Sequence, residues 1–367
     1  MTMDLFRSRQ LMPKLLVVIS GLIFLYCVFV LKPAPRTRPP TTGEPVDWQH
    51  LPPKPQFPKH EPIPLPSPTP VSPGMINRFN QGLDPALFTT NRTIDDEDTR
   101  DRLYRQLQIV TAFSQNHYKE ALGLIGTVQK EMPDKKLVIY DLGIDPDTRF
   151  KVKKLCHVEL RSFPFDEYPP HVKDLHTYAW KVIIINTTLH EFGSIFWADS
   201  SIRFKTSLRH LIPYVTRHHG YMTHFHSFDP RGTQDTPKGH IYYFTYPKMF
   251  LALGIKRTDY FASRNVPPHA SANRQIFIGN PLLQTKLVDP LLRCALDRAC
   301  IAPSGARLGR HRFDASALSL LLYKNMRGEW SEANNDNTIF DEVVDIRRTT
   351  IDWHLAHYCE STQNDKL

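Results

Sequence analysis

The chain has 367 residues, 41% of them apolar and 23% charged, enough to build a sizeable core in one large domain or two average ones. Lys and Arg number 46 against 37 Asp and Glu, and the formal net charge of +9 admits an anionic small molecule, an acidic membrane surface or nucleic acid as partner. The basic residues are scattered through the folding region without a nucleic-acid motif, so nucleic acid is excluded from the expected partners.

Residues 1–14, with Arg7, Arg9 and Lys14, read as a short cytosolic tail, and residues 15–31 as an uncharged apolar run. At 1.5 Å per residue a helix over this run is roughly 25 Å long, somewhat under the usual ~30 Å hydrocarbon core. Short spans suit the thinner early secretory membranes. A cleavable signal peptide is the competing reading, but no A-x-A-like site follows; the chain runs directly into Lys32-Pro33-Ala34-Pro35. A retained signal-anchor is therefore expected. Basic residues flank both sides almost equally and leave its orientation undecided.

Residues 32–106 read as a luminal stalk. Proline recurs every few residues from Pro33 to Pro73, which favours extended polyproline-like chain, and an acidic stretch follows at Asp95-Asp96-Glu97-Asp98. The sequon Asn91-Arg92-Thr93 is expected to carry a glycan.

Residues 107–367 form the expected folded domain. The patterning predicts strands at 108–113, 136–140, 158–165 and up to Asp199, alternating with helices at 117–132, 146–155 and 172–192. Such β-α-β order implies an α/β domain with a mainly parallel sheet and right-handed crossovers. The third helix is apolar nearly all round and should be buried, which argues against glycosylation of its sequon at Asn186. Further on, helices are predicted at 207–217, 248–253, 281–296 and 316–326, and strands at 221–226 and 274–278, with a Gly/Pro/Asp loop at 229–239.

The run Ile195-Phe196-Trp197-Ala198-Asp199-Ser200-Ser201-Ile202-Arg203-Phe204 ends a buried strand with Asp199 and Ser201, which in extended chain point the same way. A carboxylate and a hydroxyl at the carboxyl end of a strand are able to hold a divalent cation against a diphosphate. The plainer reading is a strand ending, since Asp and Ser favour turns and caps.

Of five cysteines, Cys27 lies in the apolar run, leaving Cys156, Cys294, Cys300 and Cys359. Cys294 and Cys300 can bridge if a helix ends between them, as Pro303 suggests; a Cys156 to Cys359 bridge follows only by elimination and is left open. Without C-x-x-C, a structural zinc site is not expected.

Several phrases together resemble an animal family of type II membrane, glycosyltransferase-like proteins with a GT-A nucleotide-diphospho-sugar fold. They are Thr111-Ala112-Phe113-Ser114-Gln115-Asn116-His117, Val138-Ile139-Tyr140-Asp141-Leu142-Gly143, Tyr168-Pro169-Pro170-His171-Val172, Tyr178-Ala179-Trp180-Lys181, Phe196 to Phe204, Cys294-Ala295-Leu296 with Cys300-Ile301-Ala302-Pro303, and His311-Arg312-Phe313-Asp314-Ala315-Ser316-Ala317-Leu318. The resemblance implies a Golgi transferase, luminal on a single-pass anchor, moving sugar from a nucleotide sugar to a glycan or glycoprotein acceptor. It also implies Mn²⁺ or Mg²⁺ at a D-x-D-like motif, with Asp199 as the surviving carboxylate and Ser201 where many such enzymes have a second Asp.

Asp314 resembles the acceptor-facing Asp of a D-Q-x-A-L segment, with Ala315 replacing Gln; it serves either as catalytic base or acceptor ligand, or as a helix N-cap. Lys181, in an apolar helix, is expected either to pair with the donor diphosphate or to snorkel to water. Ser114 and Asp141, at strand ends, are candidates for the donor's base or ribose, or simple caps.

Two rival readings stand beside the transferase. Ser201 and Ala315 leave room for a catalytically silent binding module on the same fold. His224 and His226, with His218, His219, Asp229 and His240 nearby, suggest a zinc-dependent hydrolase, although no H-E-x-x-H motif supports it. A sulfotransferase is disfavoured because no strand-loop-helix with a Lys/Arg-Gly-Thr-Thr phosphate cradle is present.

Overall fold

The computed structural model describes residues 93–216, 219–226, 240–260, 269–326 and 333–359. The apolar run at 15–31, the proline-rich segment, Asn91, His218 and Asp229 lie outside them. Among the described residues no helix is long and apolar enough to cross a membrane.

The predicted alternation is observed. Strand β1 (Gln108–Phe113) leads to helix α2 (Tyr118–Glu131), β2 (Leu137–Asp141), α3 (Pro146–Lys153), β3 (Val158–Ser162), α4 (Ala179–Phe192) and β4 (Ser194–Ala198). Helix α1 (Glu97–Gln106) precedes them all. Asp96 caps it by accepting from the Thr99 amide, and Leu103 and Tyr104 bury one face. Ile94 is buried too, and its amide donates to Pro213 O at 2.9 Å. The folded region thus begins well before residue 107, within the stretch read from sequence as stalk. The acidic run read as stalk is the cap and first turn of a helix, where negative charge meets the positive end of the helix dipole.

The sheet runs β3-β2-β1-β4-β7-β6, with β6 (Tyr221–Phe225) and β7 (Ala270–Ile278) added. β3, β2, β1 and β4 are parallel to one another; β7 pairs antiparallel to both β4 and β6. Strand residues alternate between two cores: Ile195 and Trp197 pack on the face covered by α4, while Phe196 and Ala198 pack on the face covered by α2. Burial on both faces explains why these strands read as continuous apolar runs.

Three predicted helices changed. The one expected over 172–192 begins only at Ala179, after short 3₁₀ turns at Pro170–Lys173 and Leu175–Thr177. Tyr178, with φ of 55°, breaks the chain direction, and the Trp180 indole donates back to Leu175 O at 3.0 Å. The helix expected over 207–217 is two 3₁₀ turns, Leu208–His210 and Ile212–Tyr214, because Pro213 lacks the N–H that a continuous helix needs. After the short helix α5 (Pro247–Ala252), the predicted 281–296 helix carries a π segment at Gln284–Val288 before α6 (Asp289–Leu296) and the one-turn α7 (Arg298–Ile301).

Both disulfides form: Cys294–Cys300, and Cys156–Cys359, which the sequence left open. The latter fastens a C-terminal strap that sequence reading missed. Helix α9 (Ala333–Val343) leads into β8 (Val344–Ile346), which pairs antiparallel with β5 (Ile202–Phe204) in a separate two-stranded sheet. A 3₁₀ turn at Ile351–Leu355 then packs on α2 so closely that a Cβ on Gly126 would overlap the Leu355 backbone.

Candidate functional site

The chain reverses its direction across the sheet at β1: β2 and β3 build outward on one side and β4 on the other. The crevice at the carboxyl ends of β1 and β4 is the topological switch point of this open sheet. A cleft of about 340 Å³ lies there, walled by Ser114, Asn116 and His117 after β1, Asp199, Ser200 and Ser201 after β4, Tyr178, Trp180 and Lys181 of α4 and its lead-in, and Arg348 of the strap.

Asp199 and Ser201 both face this cleft, but not by strand alternation. β4 stops at Ala198 and the chain turns, with Ile202 N donating to Asp199 O at 2.9 Å before β5 begins. The turn is pinned from several directions. Ser200 Oγ donates to Glu120 Oε2 at 2.8 Å, and Arg203 Nη1 donates to Ser200 O at 2.9 Å. The Ser201 carbonyl accepts from Arg347 N at 2.8 Å.

The deepest part of the site is an ion cluster. Lys181 Nζ lies 2.9 Å from Asp199 Oδ1 and 3.1 Å from Asp314 Oδ2, and donates to Ala272 O at 3.3 Å. The Lys181 side chain is only 4% exposed, so neither snorkelling nor a free approach to a diphosphate describes it. Burial opposes its charge, but the two carboxylates outweigh burial and raise its pKa. Three acceptors match the three donors of an ammonium. The Trp197 indole also donates to Asp199 Oδ1, at 2.8 Å.

Asp314 corrects an expectation. It opens helix α8 (Asp314–Asn325), but its side chain is 8% exposed and lies behind Lys181 rather than on the cleft wall. Burial pushes its carboxyl pKa up, against the pull of Lys181. It braces the ammonium from behind the cleft wall. Asp141 takes the cap reading and not the ligand one: Oδ1 accepts from the amides of Gly143 and Ile144 at 2.8 Å each, and Oδ2 pairs with Arg149 at 2.5 Å. It is a buried turn cap at the end of β2. Ser114 does line the cleft, with Oγ donating to Asn116 Oδ1 at 2.6 Å.

Sequence reasoning missed a second pair. His117 Nδ1 and Glu120 Oε2 are 2.9 Å apart, and Glu120 also accepts from Ser200. The hydrogen bond that His117 donates to Glu120 raises the imidazole pKa, with burial opposing. Spacing of three residues at a helix start was a readable signal for this pair. Arg348 had none, because only tertiary folding brings the strap to the cleft.

The oxygen donors do not fit a divalent-cation site. Asp199 Oδ1 already carries an ammonium and an indole N–H, Glu120 carries His117 and Ser200, and Asp314 is turned to Lys181. Among the described residues, no group of three or more His, Cys, Asp or Glu side chains is arranged to hold a metal ion. This also bears on the zinc reading. Burial lowers the pKa of both His224 and His226 to about 4. His224 Nε2 is 3.4 Å from Asp341 Oδ1, a carboxylate that Arg274 shares at 3.2 Å. They are packed neutral imidazoles.

Residues 86–186 match a family model described as a protein of unknown function, DUF1647. A search of curated protein sequences finds no match. Among solved structures, the chain is similar to the bifunctional glycosyltransferase WbbM in its apo form, at 12% identity over 60% of this chain and 38% of that one, with a TM-score of 0.40. This chain therefore spans well under two thirds of WbbM. It is similar to the galactosyltransferase LgtC in complex with donor and acceptor sugar analogues, at 11% identity over 66% of this chain and 87% of that one, TM-score 0.38. It is also similar to core-mannan synthase A from Aspergillus fumigatus in a Mn/GDP form, at 10% identity over 59% and 69%, TM-score 0.37.

Proposed function

We propose that this protein is a glycosyltransferase of GT-A type that binds a nucleotide-sugar donor in the cleft between β1 and β4. The observation that carries the reading is the position of that cleft at the switch point of an open, mainly parallel sheet, with His117, Lys181, Asp199 and Arg348 converging on it. Ligands of such sheets bind at this place. An imidazole and a guanidinium suit a diphosphate, and the walls of Tyr178 and Trp180 supply flat apolar surface for a base or sugar ring.

In the transfer, a bond from an acceptor hydroxyl oxygen to the anomeric carbon replaces the bond to the diphosphate oxygen. The electron pair of the broken bond stays with the departing nucleoside diphosphate and the acceptor proton is released. Asp199, held in place by Lys181 and Trp197, is the carboxylate positioned on the cleft wall to orient donor or acceptor hydroxyls. Ser114 and Ser201 are the hydroxyls beside it.

The same reading makes residues 15–31 a signal-anchor of a single-pass type II Golgi membrane protein, with the folded domain luminal and a glycan on Asn91. A shift on glycosidase treatment that disappears in Asn91→Gln supports that topology; a chain without glycan opposes it. The transferase itself is tested by incubating the full-length chain, solubilised in detergent, with a panel of UDP- and GDP-sugars. Thermal stabilisation by one donor and release of its nucleoside diphosphate are expected, and no response to any donor removes the reading.

One observation favours a second reading, the silent binding module: Asp314 is buried under Lys181 and offers no base to an acceptor. Donor binding without turnover, over a broad set of acceptors, is the result that would select it.

A further inference from the structure

We propose that the diphosphate of the donor is met in this cleft by the chain's own N–H donors, His117 and Arg348, and that its binding needs no divalent metal ion. The inference rests on the nucleotide-sugar reading and deepens it.

A divalent ion would bind Asp199 through oxygen at about 2.0–2.6 Å. The Lys181 ammonium already lies 2.9 Å from Asp199 Oδ1, is buried, and is fixed by Asp314 and Ala272 O, so it cannot swing aside. An incoming metal would have to share Asp199 with an ammonium and an indole N–H already seated on Oδ1. The residue that would give such a metal a second carboxylate is Ser201, a neutral hydroxyl. The ammonium thus occupies the electrostatic place of a metal. Its hydrogen bonds are used up, however, so it holds Asp199 and leaves the phosphates to other groups.

Those groups are on the cleft wall. His117 commits Nδ1 to Glu120, so Nε2 is the ring nitrogen left to serve a ligand, on a side chain that is 54% exposed and lines the cleft. Glu120 is itself locked by Ser200, from the same turn that carries Asp199, so the imidazole's direction is set by the site and not by a loose helix end. Arg348 enters from the strap, is exposed and lines the same cleft. The imidazole and the guanidinium both offer N–H donors to phosphate oxygens, and guanidinium forks match those oxygens in geometry.

The test is calorimetric titration of the full-length protein, in detergent, with UDP and with GDP, in EDTA and in excess Mn²⁺. At least one nucleotide should bind equally well in both conditions, and His117→Ala and Arg348→Ala should each weaken it about tenfold or more while thermal unfolding of the apo protein barely changes. Tight binding in Mn²⁺ that EDTA abolishes overturns the inference and leaves the nucleotide-sugar reading standing. Metal-free binding that neither variant weakens also overturns it. Failure of both nucleotides in both conditions removes the inference and the underlying reading together.

Discussion

Lys181 Nζ sits 2.9 Å from Asp199 Oδ1 and 3.1 Å from Asp314 Oδ2, so a single buried ammonium joins the turn after β4 to the first residue of α8. The arrangement fixes Asp199 at the cleft and gives the site a charge cluster that is internally compensated except for one carboxylate.

Lys181→Met is expected to leave two carboxylates together, one of them fully buried, and to destabilise the fold by about 3–5 kcal/mol. Adding Asp314→Leu removes the stranded charge and should recover most of that loss. Urea unfolding of the two variants checks this; a double variant no more stable than the single would show that the ion cluster is not what the lysine supports.

His117 gains a partner on folding, so its folded pKa lies above its unfolded value of ~6.5. The stability it contributes is fully present below that unfolded value and is lost as pH rises through the folded pKa. NMR titration of the imidazole should show the raised pKa in the wild type and its return toward ~6.5 in Glu120→Gln. Identical titrations would mean that the hydrogen bond to Glu120 does not hold the proton.

His269 behaves in the opposite sense. Burial lowers its pKa to about 3, and it sits just before β7 with Nδ1 hydrogen-bonded to Ala270 O at 3.0 Å. Its neutral form is favoured in the folded state, so stability is intact above ~6.5 and falls as pH drops from there toward the folded pKa, by up to ~1.4 kcal/mol per pH unit. His269→Gln should lower stability at neutral pH yet flatten this slope. An unchanged slope would assign the acid sensitivity elsewhere.

Asp141 is expected to matter for folding and not for ligand. Replacing it by Ala strands two turn amides and the Arg149 guanidinium, at a cost of about 2–3 kcal/mol. Nucleotide affinity measured on the folded fraction should be unchanged; a clear loss would restore the ribose-contact role first expected of it.

The Cys156–Cys359 bridge spans 203 residues and ties the strap that carries Arg348. Replacing both cysteines by serine should cost about 2–5 kcal/mol and speed amide exchange across residues 344–359 before the rest of the domain. Exchange no faster in the strap than in β1 would show that packing on α2 holds it without the bridge.

Much of this fold was legible because its signals are local. Strand β1 was predicted at its observed ends, and α2, β2 and β4 came within about two residues of theirs, since apolar runs and helical stripes follow backbone geometry alone. The delayed start of α4 was not, because it depends on Tyr178 adopting φ of 55° under the packed Trp180. Asp199 and Ser201 were singled out in the sequence and both line the cleft, although a turn, and not strand alternation, aims them at it.

The sequence by itself determined a β-α-β succession and a carboxylate delivered to a strand end, because both are set within one stretch of chain. Only the tertiary structure decided what that carboxylate faces. Lys181, Asp199, Ala272 and Asp314 come from α4, the β4 turn, β7 and α8, and Arg348 arrives on a strap fastened by a disulfide. Charges so far apart in the chain meet only when the cores on both faces of the sheet are packed. Their hydrogen bonds, not the residue types, decide which cation is spent on the protein and which remains for a ligand.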